Sequence, residues 1–88
     1  MKKQNMGLFE YWLEIERAKG TQKEAIRKLN DFCGTKYVES WPSKMASRDY
    51  SLERTPTNVR RYMMRIVLPE IFPGKSNEEY EMLVLSLT

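Results

Sequence analysis

Apolar residues recur at helical spacing four times in this chain of 88 residues, and a cap or a breaker brackets nearly every stretch. A period of about 3.6 residues puts such positions on one side of a helix, so the pattern calls for helices packed through their apolar faces. The first stretch carries Leu8, Tyr11, Trp12 and Ile15 and stops at Gly20. The second carries Ala25, Ile26, Leu29, Phe32 and Cys33. Thr21 stands before it as an N-cap with Glu24 three residues on, the spacing of a capping box, and Gly34 follows where a left-handed C-cap belongs. The third carries Val59, Tyr62, Met63, Ile66 and Val67, opens with Thr55-Pro56 and is expected to end before Pro69. The fourth carries Tyr80, Leu83, Val84 and Leu87 behind a second capping box, Ser76 with Glu79. A terminal strand over Met82–Leu87 competes with the helix there, because the apolar run is dense.

Between the second and third stretches lies 35–54. Thr35–Trp41 has room for two helical turns, with Val38 and Trp41 facing the core, and Pro42 is expected to stop it at Ser40 or Trp41. Ser43–Arg54 is polar and basic and reads as a loop with at most one turn of helix. The expected fold is all-α: one domain over 1–88, a compact bundle of four to five short helices, ending in a helix or short strand. An apolar fraction of 41% with ten aromatic residues suffices for one core.

The chemistry the chain lacks is equally informative. There is no histidine and one cysteine, which removes the commonest general base and the usual zinc ligand sets. The four glycines stand apart at helix boundaries, so no phosphate-cradling loop is present. Cys33 lies on an apolar face and reads as a small core residue. The expectation is a protein that is not an enzyme, with no metal, no cofactor and no small-molecule substrate. No run of about 18 apolar residues occurs, so no membrane span is expected. Met1-Lys2-Lys3 has no apolar stretch behind it, and with a single cysteine this gives the expectation of a cytoplasmic protein without a secretory signal.

The net charge of +3 is unevenly spread. Residues 35–65 hold seven basic and three acidic groups, whereas 66–88 hold one basic and four acidic. A positive centre suits a polyanion, whose phosphates supply much of the affinity. The competing reading of the same charges is a solvated surface.

A capped helix, a glycine turn and a short polar helix over Thr21–Trp41 make the layout of a helix-turn-helix, whose second helix enters the major groove while the first braces across the backbone. The strings T-Q-K-E-A-I-R-K-L (Thr21–Leu29) and G-T-K-Y-V-E-S-W (Gly34–Trp41) resemble the phage Cro/CI repressor family, and R-T-P-T-N-V-R-R-Y-M (Arg54–Met63) is similar to that family's fourth helix. The similarity spans about residues 8–68. The interval from Thr21 to Trp41 is longer than the family's usual spacing, with the surplus at Asn30–Gly34.

The resemblance implies a sequence-specific, repressor-like transcriptional regulator of phage or plasmid type that binds a double-stranded DNA operator as a homodimer. It implies DNA contacts at Gln22 and Lys23 of the bracing helix and at Thr35, Lys36, Tyr37 and Ser40 of the reading helix. Lys44, Arg48 and Arg54 would clamp phosphates from the loop, as would Arg61 on the next helix. Leu83, Val84 and Leu87 are the candidate dimer contact, with packing on their own domain as the other reading. A small protein-binding inhibitor or adaptor from a mobile element stands as the alternative function, and RNA binding as a weaker third.

Overall fold

The computed structural model of the protein describes residues 7–88. Five helices follow one another: α1 (Leu8–Lys19), α2 (Gln22–Cys33), α3 (Trp41–Ala46), α4 (Thr57–Ile71) and α5 (Asn77–Leu87). Among the described residues there is no strand, so the carboxyl-terminal segment is the helix. The central element is α4, which packs on α1, α2 and α5.

The helix boundaries follow local chemistry. Thr21 Oγ1 accepts the Glu24 N–H at 3.1 Å, although only this half of the expected box forms. Gly34 takes the left-handed conformation (φ 70°, ψ 30°) and its N–H returns to the Asn30 carbonyl at 2.8 Å, closing α2. At α5 both halves of the box form, Glu79 N–H to Ser76 Oγ and Ser76 N–H to Glu79 Oε1. That contact with the Ser76 backbone holds the Glu79 carboxyl below its ordinary range.

Two expectations about proline are corrected. The fourth helix does not end before Pro69 but runs through it to Ile71. A proline so near the end removes one hydrogen bond, while the flanking Val67 and Leu68 stay buried and the Phe72 N–H still reaches the Leu68 carbonyl at 2.8 Å. Pro42 does not stop a helix but starts one. Residues 35–38 are irregular, 39–40 form a turn, and α3 begins at Trp41 with Pro42 in its first turn. There the missing N–H costs nothing and the fixed φ favours helix. The expected reading helix over Thr35–Trp41 is therefore absent, and the connection from α2 to α3 is far longer than a helix-turn-helix turn of three to four residues.

The core gathers Phe9, Trp12 and Leu13 of α1, Ala25, Ile26 and Leu29 of α2, Trp41 and Met45 of α3, and Val59, Met63 and Val67 of α4. The buried side of α1 is rotated from the expected stripe: Leu8, Tyr11 and Ile15 are only half-buried, whereas Phe9 and Leu13 are inside. Trp41 is a core residue, as expected, with its ring edge-on to Phe9 at 5.1 Å between centroids. Val38 and Phe32 are not core residues; they are 53% and 68% exposed. Phe32 lies against the half-buried Tyr62 ring instead, at 5.2 Å.

After α3 the chain reverses through Asp49 and Tyr50, both left-handed (φ 55° and 57°). The Tyr50 N–H bonds the Met45 carbonyl at 2.8 Å and the Asp49 N–H bonds the Ala46 carbonyl at 3.1 Å. This is the Schellman pattern, with aspartate where glycine is usual. It returns the Tyr50 ring to the core, stacked on Phe9 at 5.8 Å.

Candidate nucleic-acid interface

The 35–40 connection is irregular in backbone but not loose. Asn30, on the last full turn of α2, binds it three times. Its Oδ1 accepts the Tyr37 N–H at 2.9 Å and the Thr35 hydroxyl at 2.8 Å, and its Nδ2 donates to the Tyr37 carbonyl at 2.8 Å. A side chain satisfying loop backbone in this way competes directly with helix formation at 35–37. Gln22 fixes the far end, donating from Nε2 to the Glu39 carbonyl at 3.1 Å while its Oε1 accepts from Arg17 at 2.6 Å.

With its backbone clamped, Tyr37 lies flat on Trp41, with centroids 3.7 Å apart and planes 7° from parallel. Burial pushes its phenol above the ordinary tyrosine range, and the Cys33 sulfur adds to the effect. On one side of this ring a groove of about 290 Å³ opens, lined by Lys36, Tyr37, Val38, Trp41, Lys44, Met45 and Arg48. Its floor is apolar, and every charged group in the lining is a cation. Arg48 also lines the adjoining recess with Ser51, Glu53 and Arg54. On the other side of Tyr37 lies a mixed groove that holds Lys23 and Arg27 together with Asp31 and Glu39.

The cations of the described residues divide into two sets. Arg27 pairs with Asp31 at 3.5 Å, Lys28 with the buried Glu16 at 3.3 Å, and Arg65 with Glu81 through two contacts of 2.8 and 3.2 Å. Arg60 donates to Thr57 and Arg61 to Thr88. Lys36, Lys44, Arg48 and Arg54 make no ion pair or side-chain hydrogen bond, and all four are exposed. Lys19, Lys23 and Lys75 are likewise unpaired but lie outside the groove and its adjoining recess.

The structure thus brings Lys36, Tyr37, Lys44 and Arg48 together, with Arg54 beside them. It does not bring Gln22, Lys23, Thr35, Ser40 or Arg61 to that groove. Gln22 and Thr35 are spent on internal hydrogen bonds, and Ser40 is the exposed N-cap of α3 without a side-chain cap bond. Arg61 is held by the carboxyl-terminal residue. Asn30, Met45 and the surface position of Val38 join the site without being among the expected contacts. A polar residue one turn before a glycine C-cap was the available signal for Asn30.

In α5, Val84 is wholly buried in its own domain, so it is not a dimer contact. Leu83 is half-buried, while Leu87 is exposed, as are Met82 and Leu85. The thiol of Cys33 is raised above its ordinary range by burial, with Arg65 acting in the opposite direction, so little thiolate forms at neutral pH. Among the described residues no three metal-ligating side chains come together, and no helix is long and apolar enough to cross a membrane. No protein-family model, curated protein or solved structure matches the chain.

Proposed function

We propose that this protein binds double-stranded DNA, through the surface formed by the 35–40 connection, α3 and the segment that follows it, and that it serves as a small regulator. The observation that carries the reading is the division of the cations. Four unpaired basic groups line two adjoining recesses that share Arg48, while Arg27, Lys28 and Arg65 are ion-paired and Arg60 and Arg61 donate to hydroxyls within the fold. Unpaired lysine and arginine around a groove are what a phosphate backbone requires, since binding releases counterions in proportion to the charges matched. The fixed Tyr37–Trp41 stack and the Asn30 clamp hold the platform in place before the partner arrives, which lowers the ordering cost of association. A homodimer would use the exposed Met82, Leu85 and Leu87 on α5, and sedimentation of L85K beside the unaltered chain tests that contact.

The apolar floor of the groove supports a second reading, capture of an acidic protein segment. One titration separates the two. The protein is added to a fluorescent 20-base-pair duplex of arbitrary sequence at low and at moderate salt. Binding that weakens steeply with salt supports the DNA reading, and no binding at the lower salt sinks it and leaves the acidic protein partner.

A further inference from the structure

We infer that the duplex is held by its sugar–phosphate backbone and that its base sequence is hardly read. This rests on the duplex-binding reading above and narrows it. Sequence readout in the major groove needs a recognition element long enough to lie in it, carrying side chains with paired donors and acceptors. Among the described residues this surface supplies no such element, and its two forked donors, Arg48 and Arg54, lie after α3 rather than on it. With six residues, α3 spans about 9 Å at 1.5 Å per residue. Its first turn is occupied by Trp41 and Pro42, both buried. Among the described residues, the carboxamides that would read adenine lie elsewhere. Gln22 is bound to Arg17 and Glu39, Asn30 to Thr35 and Tyr37, and Asn58 to the Cys33 carbonyl, while Asn77 stands on α5. What faces outward is charge: Lys36, Lys44, Arg48 and Arg54.

The footprint has a boundary. Tyr37 walls the basic groove, and beyond it Asp31 and Glu39 offset Lys23 and Arg27 in the neighbouring one, which therefore offers phosphate no net positive charge. The track therefore runs the other way, from Lys36 past Lys44 and Arg48 to Arg54, where Glu53 shares the last recess. Four cations match four phosphates at most. At about −0.9 per phosphate, the logarithm of affinity should fall with the logarithm of salt at a slope near −3 to −4.

The test uses the full chain and duplexes of 20 base pairs. After selection of bound duplexes from a random-sequence pool, no motif should be enriched, and separately measured duplexes should differ in affinity by less than about tenfold. K44A and R48A should each weaken binding by a similar factor on every duplex and make the salt slope shallower by about one. An enriched motif bound a hundredfold more tightly than the pool overturns the inference while leaving DNA binding intact. Absence of binding at low salt overturns the duplex reading and this inference with it.

Discussion

Tyr37 lies face to face on Trp41 with 3.7 Å between ring centroids, and the tyrosine backbone is held on both its N–H and its C=O by Asn30. Trp41 in turn meets Phe9 edge-on inside the core. The candidate interface is thus bolted to the bundle through one tryptophan. Aromatic pairs contribute about 0.5–1.5 kcal/mol beyond the area they bury. Tyr37→Leu should therefore destabilise the protein by about 1–2 kcal/mol in urea denaturation and weaken duplex binding. Tyr37→Phe keeps the stack and should change stability by less than about 0.5 kcal/mol; a loss as large as that of the leucine variant contradicts this account.

Asn30 should matter more than its half-buried position implies. Removing its amide strands the Tyr37 N–H and C=O in a part-buried setting, which costs about 1–3 kcal/mol. Asn30→Ala is expected to lose that amount in urea denaturation. Hydrogen exchange at the Tyr37 amide should accelerate while that of the α4 core amides, such as Met63, changes far less.

Asp49 occupies the left-handed position of a Schellman turn that suits glycine. A left-handed residue with a side chain costs roughly 1 kcal/mol, and glycine's added freedom in the unfolded chain offsets part of the gain. Asp49→Gly should raise stability by up to about 1 kcal/mol, seen as a higher melting temperature. A lower one would mean that the aspartate side chain has a role of its own.

Glu16 is 4% exposed, and its carboxylate meets Lys28 at 3.3 Å, while the lysine is half exposed. The pair itself is worth little, because water screens the lysine side. Breaking it leaves a buried charge unmatched. Lys28→Met should cost about 1–2 kcal/mol, and adding Glu16→Gln should restore most of that loss in a double-mutant cycle read by urea denaturation.

The docking of α5 on α4 should be sensitive to acid. Arg65 holds the Glu81 carboxyl below its ordinary range, chiefly through their hydrogen bonds. A group with a lowered folded pKa contributes stability above its unfolded value, about 4.3 for glutamate, and loses it as pH falls through the folded pKa. Glu81→Gln should be less stable than the unaltered chain at pH 6. The two urea midpoints should converge as pH drops below about 4.

The sequence announced the helices wherever a cap and a period agreed. Thr21 with Gly34, and Ser76 with Glu79, marked α2 and α5 because capping chemistry is local. The same locality leaves the structure of 35–54 hidden in the sequence. Pro42 is compatible with either end of a helix, and only the Asn30 clamp and the burial of Trp41 decide that it begins one. Of the expected DNA contacts, Lys36, Tyr37, Lys44, Arg48 and Arg54 fall on one surface, since all belong to one stretch of chain. Gln22 and Arg61 are bound by Glu39 and Thr88, residues distant in sequence that no local pattern reveals, and Thr35 by Asn30 five residues before it.

Charge reversal decides whether the unpaired cations of the 36–54 surface hold a DNA backbone. The affinity of the K44E/R48E double variant for a 20-base-pair duplex at low salt is compared with that of K23E, whose lysine lies across Tyr37 in the mixed groove. The double variant should lose at least a hundredfold and K23E less than threefold. Equal losses in the two, or none in either, would contradict that role for these cations.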